Sequence, residues 1–317
     1  MSKFIKKIQN TAHQNNLWKK SSRIVIGVSG GPDSICLLDI LAELGPKYDL
    51  QIIIAHVNYG LRGKDSQRDE TLVRKLANKY NLKALFLKPI GGKKISENEM
   101  RDIRYEFFEK LRVKNNYDVI AVGHNLEDQV ETFLMRIIRG AGLKGLSAMQ
   151  YKSGKIIRPL LGMPRTEILV YLKNKKLAYR TDKTNKTDLF LRNKIRNKLL
   201  PYLEKNFNPK IKKTIFEAIR SIAEDHSLIQ ELADQAYEKQ QSLSVKKILK
   251  LHPALQRRVL MRLISEKRPG SKDIEAAHIE EIIKALRSTK GKNQIVLFKG
   301  LKMTKKGDKV IIVKLNH

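Results

Sequence analysis

The stretch that decides the fold is Ile24-Val25-Ile26-Gly27-Val28 followed by Ser29-Gly30-Gly31-Pro32-Asp33-Ser34. A short apolar run passes directly into a loop of small and polar residues, and a helical pattern begins at Asp33. This order predicts a buried strand, a tight turn and a helix. Because glycines let the backbone come close to a ligand, and the free amides of a helix N-terminus attract anions, the stretch predicts a phosphate-binding loop.

The side chains of this loop fit a phosphate with a bound cation. The hydroxyls of Ser29 and Ser34 can donate to phosphate oxygens, whereas the Asp33 carboxylate would repel phosphate unless Mg²⁺ lay between them. The loop has neither the lysine and spacing of Gly-x-x-x-x-Gly-Lys-Ser/Thr nor the pattern Gly-x-Gly-x-x-Gly. An ordinary glycine-rich turn is the alternative. We expect ligand binding at Ser29, Gly30, Gly31, Pro32, Asp33 and Ser34, with Asp33 as a metal ligand.

Further apolar runs and helical patterns extend this region to about Leu161. The runs span residues 52–57, 84–87, 119–122 and 156–157, and the helical patterns span 33–44, 66–80, 97–114 and 126–138. Nearly continuous apolar character suits strands that are covered on both faces. The alternation predicts an α/β domain with a mostly parallel sheet, whose ligands bind beyond the carboxyl ends of the strands.

The strand signal fades after Pro159 and basic character rises. Residues 151–210 contain 16 basic and 4 acidic residues, and Asn208-Pro209 is a plausible boundary. Isoleucines at helical spacing follow from Ile211 onward, and two short strands, 295–298 and 310–313, flank a Lys306-Gly307-Asp308 turn. We therefore expect a catalytic domain over 1–209 and a smaller, mainly helical domain over 210–317 that ends in a short β-hairpin.

Charge and cysteine content limit the partners and the compartment. The chain has 64 basic and 32 acidic residues, a net charge of +32, which favours a nucleic-acid partner. The alternative explanation of the charge is an organism whose proteins are all rich in lysine, but such proteins carry a matching number of acidic residues. The single cysteine, Cys36, excludes a disulfide within the chain and indicates a reducing cytoplasm. A polar N-terminus and the lack of long apolar runs predict a soluble protein without membrane association, and a homodimer is possible.

The loop sequence Ser-Gly-Gly-x-Asp-Ser after a first strand resembles the PP-loop of the N-type ATP pyrophosphatases. Members of that family cleave ATP between the α- and β-phosphates and transfer AMP to a substrate oxygen. The resemblance implies a parallel-sheet PP-loop ATPase fold (adenine nucleotide alpha hydrolase-like), with ATP and Mg²⁺ as cofactors. The loop does not choose between small-molecule synthetases, such as GMP and NAD synthetases, and enzymes that thiolate tRNA or attach lysine to it.

Four later segments resemble the lysidine synthetases within that family. The first is Ala55-His56-Val57-Asn58-Tyr59-Gly60-Leu61-Arg62, in which Tyr59 stands where the family usually has His. By position it borders the nucleotide, so the resemblance implies cofactor contacts from His56 and Arg62. The second is Glu99-Met100-Arg101-Asp102-Ile103-Arg104-Tyr105, whose two arginines lie one helical turn apart and could contact RNA.

The third and fourth segments add acids and more arginines. Gly123-His124-Asn125-Leu126-Glu127-Asp128-Gln129-Val130-Glu131 departs from the family at Asn125 and Glu127 but matches it at His124, Asp128 and Glu131. Asp182-Lys183-Thr184-Asn185 precedes Arg192-Asn193-x-x-Arg196, two arginines on one helical face. Acidic helix capping and a solvated basic helix are the structural alternatives for these two segments.

The resemblance to the lysidine synthetases implies adenylation of cytidine 34 in the CAU anticodon of tRNA(Ile), followed by attack of free L-lysine. The implied catalytic residues are Asp33, Arg104, Asp128 and Glu131, and Asp33 and Asp128 are the implied metal ligands. The implied substrate-binding residues are Arg101, Arg104, His124, Asp128, Arg192 and Arg196. A tRNA thiolase, a small-molecule ligase and an inactive RNA-binding module are the alternatives. A thiolase typically needs paired cysteines, and this chain has one.

Overall fold

A computed structural model describes residues 2–61, 63–89, 96–180, 190–238, 244–270, 274–290 and 293–315. The chain packs as two units, Met1–Arg220 and Ser221–His317. The division falls within a long helix, α10 (Ile211–Glu238), rather than at Asn208-Pro209. The assignment of separate functions to 1–209 and 210–317 stays a prediction.

The first unit contains a six-stranded sheet with helices on both faces. Its elements are α1 (Lys3–Gln14), β1 (Arg23–Gly27), α2 (Pro32–Tyr48), β2 (Gln51–Val57), α3 (Lys64–Lys79), β3 (Lys83–Leu87), α4 (Glu97–Lys114), β4 (Val119–Ala121), α5 (Leu126–Ile138), α6 (Leu143–Leu146), β5 (Lys152–Ser153), β6 (Ile156–Ile157), α7 (Arg165–Asn174), α8 (Leu191–Lys194), a π-helical turn (Ile195–Leu199) and α9 (Leu200–Asn206). The strand order is β3-β2-β1-β4-β6-β5, and every pair is parallel except β5 with β6. The five predicted strands and the parallel sheet are confirmed.

Alternate residues of β1 explain its continuous apolar run. Ile24 and Ile26 lie in the core cluster formed with α1, α2 and α7, whereas Val25 lies in a second cluster that includes Phe108 of α4. Helices therefore cover both faces of the strand, and Ile24, Val25 and Ile26 are all fully buried. The sequence did not predict β5, because Lys152 and Ser153 are exposed and carry no apolar pattern.

The second unit combines helices with a small antiparallel sheet. It contains the second half of α10, α11 (Val245–Lys250), α12 (Pro253–Lys267), α13 (Ala276–Arg287), β7 (Gln294–Phe298), β8 (Leu301–Lys306) and β9 (Lys309–Lys314). The strands pair in the order β7-β8-β9, so the expected two-stranded hairpin is a three-stranded sheet. The missed strand, β8, buries Leu301 and Met303, but its three lysines mask that alternation. No described helix has the length and apolar character needed to cross a bilayer.

Candidate active site

A cavity of about 380 Å³ opens at the carboxyl ends of β1 and β4. The predicted loop residues Ser29, Gly30, Gly31, Pro32, Asp33 and Ser34 all line it. His124, Asp128, Arg104, Arg192 and Arg196 line it as well. The fold therefore brings motifs from four separate parts of the chain to one edge of the parallel sheet, where such sheets bind their ligands.

The phosphate loop is held in shape by its own hydroxyl groups. Ser34 Oγ accepts a hydrogen bond from the Ser29 backbone N–H (3.1 Å) and donates one to the Gly31 carbonyl (2.9 Å). Gly30 has a φ of +89°, a left-handed conformation that favours glycine. Gly31 is the N-cap of α2 and provides no capping side chain, and the first residues of the helix line the cavity. A helix N-terminus of this kind attracts anions.

The loop after β4 packs directly on the phosphate loop. A Cβ atom on Gly123 would lie 2.9 Å from the backbone carbon and oxygen of Asp33, so glycine alone fits there. Asn125, two residues further along, helps to hold two carboxylate-bearing residues in place. Asn125 donates to Asp33 Oδ1 (3.0 Å) and also caps α5 by accepting from the Asp128 backbone N–H (2.9 Å). Asn125 thus links the two acids that the sequence assigned to metal binding.

Two arginines bind two carboxylates beside the cavity. Arg192 Nε donates to Glu131 Oε2 (2.8 Å) and its Nη2 donates to Asp128 Oδ1 (2.9 Å). Arg196 Nε donates to Glu131 Oε1 (2.6 Å) and its Nη2 donates to Glu131 Oε2 (2.8 Å). We call these four residues the carboxylate–arginine cluster. The acidic helix cap and the basic helix, considered separately in the sequence, are partners in the fold.

The predicted acid Glu131 does not face the cavity. Its side chain is buried at 1% exposure behind Arg192 and Arg196, and it is absent from the described residues that line the cavity. In that position it holds the two guanidinium groups by hydrogen bonds. The expectation that Glu131 is catalytic stays a prediction; in the fold both of its oxygens accept hydrogen bonds from arginines.

The electrostatic environments of the cavity acids differ. Burial raises the pKa of Asp33 above its ordinary value, although Arg165 opposes the shift. Burial would also raise the pKa of Asp128, but the Arg192 guanidinium holds it below its ordinary value. Burial lowers the pKa of His124 to about 3, so its imidazole is neutral at physiological pH. Asp128 is therefore the acid that stays ionised over the wider pH range.

Three predicted residues lie apart from the cavity or outside the described chain. His56 is buried beneath the loop, where its Nδ1 lies 2.8 Å from the Val28 carbonyl oxygen, so it supports the strand end. Arg101 lies with its guanidinium 5.1 Å from the centre of the Tyr105 ring and is absent from the described cavity lining, unlike Arg104. Arg62 and the 182–185 segment lie outside the described residues.

Comparison with known proteins identifies the family. The PP-loop domain family matches residues 1–203, and the TilS substrate binding domain family matches residues 243–300. A tRNA(Ile)-lysidine synthase of Clostridioides difficile is 35% identical over 96% of this chain and 70% of its own length. One from Clostridium tetani is 36% identical over 90% of this chain and 64% of its own length. This chain belongs to the tRNA(Ile)-lysidine synthase family.

The family expected from the motifs is thus confirmed, and the chain spans 64–70% of the length of these two lysidine synthases. A solved U34-tRNA thiolase from Methanococcus maripaludis, described with its iron–sulfur cluster, matches with a TM-score of 0.58 at 22% identity. That match covers 70% of this chain and 79% of the thiolase. At this identity the likeness supports the PP-loop fold alone.

The lysidine synthase motifs did not reveal two arginines that also line the cavity. Arg165, at the start of α7, donates through Nη1 to Asp33 Oδ2 (3.3 Å), and its backbone N–H donates to Glu127 (2.9 Å). The Arg180 backbone N–H donates to the Gly30 carbonyl (3.0 Å), and its guanidinium pairs with acids of α3. Only the fold could identify them, because 132 residues separate Arg165 from Asp33.

Proposed function

We propose that this chain makes lysidine: it adenylates cytidine 34 in the CAU anticodon of tRNA(Ile) with ATP, and then joins free L-lysine to C2. The observation that carries the proposal is one cavity lined both by the phosphate loop and by Asp128, Arg192 and Arg196 of the carboxylate–arginine cluster. The net charge of +32 fits a tRNA substrate, and the TilS substrate binding domain match over 243–300 supports a second contact region.

In the first step, O2 of the cytosine attacks the α-phosphorus, and the bond from that phosphorus to the pyrophosphate oxygen breaks. The amides at the start of α2 and the hydroxyls of Ser29 and Ser34 bind phosphate oxygens. Arg192, Arg196 and Arg104 line the same cavity and stabilise the negative charge that develops on the pyrophosphate. These groups are fixed before ATP arrives, which is the condition for electrostatic catalysis.

The residues of the cavity fit a magnesium ion. Asp33 and Asp128 both line it, and carboxylates are the ligands that Mg²⁺ prefers. No group of three or more acids, histidines or cysteines in the described part of the chain could hold a metal. Phosphate oxygens and water would therefore complete the coordination, as is usual for Mg²⁺ with nucleotides. When bound, the ion would neutralise phosphate charge beside Asp33.

In the second step, the ε-amine of lysine attacks C2 and AMP leaves with the electrons of the C2–O bond. Asp128 carries a lowered pKa, so it is ionised and can bind the ammonium group, while the proton of that group passes to water because so weak a base does not retain it. The proton of the amine must leave before or during the attack, because an ammonium has no lone pair. Glu131 holds Arg192 and Arg196 in place and acts as a positioning residue.

The thiolase alternative lacks the sulfur chemistry. Cys36 is the chain's one cysteine, it is fully buried in α2, and burial raises the pKa of its thiol. A buried neutral thiol is a poor nucleophile and a poor metal ligand. A small-molecule ligase has no need of so large a positive charge, so the lysidine reaction is the better match.

The test is release of AMP and pyrophosphate with unmodified tRNA(Ile) that carries a CAU anticodon, with and without L-lysine. We expect lysine-dependent turnover and a gain in tRNA mass equal to one condensed lysine. Asp33→Ala should abolish both while the protein stays folded. No AMP with this tRNA, from a folded protein that binds ATP, would sink the proposal and favour the small-molecule ligases.

A further inference from the structure

A second concave surface lies on the other side of the helical segment that carries Arg192 and Arg196. It is an apolar groove of about 490 Å³ between the end of α5 and the segment from α8 to α9, and its lining includes Ile138, Leu199 and Tyr202. Tyr202 is 57% exposed, and its ring contacts that of Phe207, which is 70% exposed (centroids 5.8 Å apart). We call this surface, Tyr202 with Phe207 and the adjoining groove, the α9 groove.

Core packing does not explain these exposed side chains. A contiguous apolar patch on a protein surface marks a binding site more often than a lone exposed residue does. Exposed aromatic side chains are surfaces on which unpaired nucleobases stack. The α9 groove therefore has the chemistry of a binding surface for flat, partly apolar groups.

Basic residues surround the groove. Lys194 and Lys198 line it, and residues 190–210 hold six basic residues against one acid, Glu204. Glu204 is itself paired with Lys212 (3.0 Å). A polyanion fits this charge, whereas a second copy of the chain would bring the same positive groups into contact. Aromatic rings beside basic side chains favour single-stranded nucleic acid.

The groove and the active-site cavity share one short segment of helix. Arg192 and Arg196 lie four residues apart and face the carboxylates, whereas Lys194, Lys198 and Tyr202 follow the other face at the same spacing. Tyr202 follows Arg196 by only about 9 Å along a helix axis. A nucleotide chain with one base in the cavity would therefore have its neighbours within reach of the groove.

We propose that the α9 groove binds unpaired nucleotides next to the target base, with Tyr202 and Phe207 stacking on bases and Lys194 and Lys198 contacting phosphates. The proposal rests on the proposed function for the identity of the RNA. It assigns a base-stacking surface that lies outside the cavity and uses none of the catalytic groups.

The experiment measures binding of an unmodified CAU anticodon stem-loop that carries 2-aminopurine beside the target cytidine, without ATP or lysine. We expect quenching on the wild-type protein, affinity about tenfold weaker for Tyr202→Leu, and near wild-type behaviour for Tyr202→Phe. Leucine keeps the apolar volume and removes the ring, so folding should survive. Val113→Ala, at an exposed residue of α4, is the control and should change nothing. Equal affinity and quenching for Tyr202→Leu and wild type would overturn the proposal.

Two further outcomes separate this inference from the proposed function. Tyr202-dependent binding by a protein that forms no lysidine would retain the surface and reject the reaction. Lysidine formation with an unchanged KM for tRNA in Tyr202→Leu would retain the reaction and reject the surface. If sedimentation shows that Tyr202→Leu converts a dimer to a monomer with RNA affinity intact, the occupant is a second copy and the proposal is wrong.

Discussion

Glu131 and Glu70 are two buried carboxylates with the same kind of partners in different parts of the first unit. Glu131 accepts from Arg192 and Arg196 at the cavity. Glu70, on α3, is 2% exposed and pairs with Arg74 (2.7 Å) and Lys88 (3.2 Å). Each carboxylate is satisfied by two cations, so neither leaves an uncompensated buried charge.

What the cations face distinguishes the two sites. Arg192 and Arg196 line the cavity, so a ligand can use the guanidinium groups that Glu131 orients. Arg74 lies over the Phe86 ring (3.8 Å) and is absent from the described cavity lining. Glu70 instead accepts from Asn58 Nδ2 (2.8 Å), which fixes the turn after β2. A buried ion pair can therefore serve a ligand where its cation also lines a cavity. Burial of the pair alone does not identify a site.

The largest expected effect is on the rate when the cavity arginines change. Arg196→Lys keeps the charge but loses the paired donors, and we expect pyrophosphate release to fall by at least about 100-fold. The matched Arg74→Lys should leave the rate close to wild type. Initial rates with saturating ATP and tRNA measure both. Equal falls in rate for Arg196→Lys and Arg74→Lys would contradict the assignment of Arg196, and not Arg74, to the reaction site.

A smaller loss is expected when the positioning carboxylate is neutralised. Glu131→Gln should lower kcat by roughly 10- to 100-fold, because misplaced guanidinium groups stabilise the transition state less well. The KM for lysine should change little, since Glu131 does not face the cavity. Steady-state kinetics with varied lysine separate the two parameters. A large rise in that KM with kcat preserved would assign Glu131 to lysine binding.

Loss of the Glu70 ion pairs with Arg74 and Lys88 should lower stability and leave the reaction rate unchanged. Burial opposes ionisation, but hydrogen bonds from Asn58, Arg74 and Lys88 hold the pKa of Glu70 at about 2. Because the folded pKa is depressed, the stabilisation is present above the unfolded value and is lost as pH falls through about 2. We expect Glu70→Gln to lower the unfolding free energy by about 2 kcal/mol at neutral pH.

Urea titration followed by Trp18 fluorescence measures the unfolding free energy of Glu70→Gln and wild type, since the chain's one tryptophan is buried in the first unit. The difference between Glu70→Gln and wild type should shrink as pH falls from about 4.5 toward 2. A difference that does not vary with pH would mean that lost packing, rather than lost charge, destabilises the variant.

The smallest effect is expected at a third buried acid, Asp39 of α2, which accepts from the Tyr171 and Tyr80 hydroxyls (2.5 Å for Tyr80). Tyr171→Phe removes one donor and should cost about 1 kcal/mol of unfolding free energy, with lysidine formation unchanged. The same Trp18 titration and the AMP assay measure the two quantities. A fall in kcat without loss of stability would link this network to the reaction.

The phosphate loop and the strands around it were predictable because their signals are local. A continuous apolar run such as residues 52–57 can be read as a doubly covered strand, and the Gly-Gly-Pro-Asp-Ser turn lies beside it. The strand β8 was missed because its three lysines interrupt the apolar alternation. A local sequence pattern thus predicts a strand or helix where buried positions carry apolar side chains without interruption.

The contacts within the site were not predictable, because they join residues far apart in sequence. Glu131 and Arg196 are 65 positions apart, and each had a credible local interpretation, as a helix cap and as a solvated basic face. The family resemblance brought both to attention but could not indicate that Glu131 is hidden behind its arginines. Arg165 carried no local signal, since its partner Asp33 lies in another motif.

One labelling experiment tests whether the loop and the carboxylate–arginine cluster serve a single two-step reaction. The protein is incubated with ATP labelled at the α-phosphate and CAU tRNA(Ile), first without lysine. We predict label on the tRNA with release of unlabelled pyrophosphate, and then, on addition of L-lysine, loss of the label as AMP with formation of lysidine. Label that never reaches the tRNA, in a folded protein that consumes ATP, would contradict this mechanism.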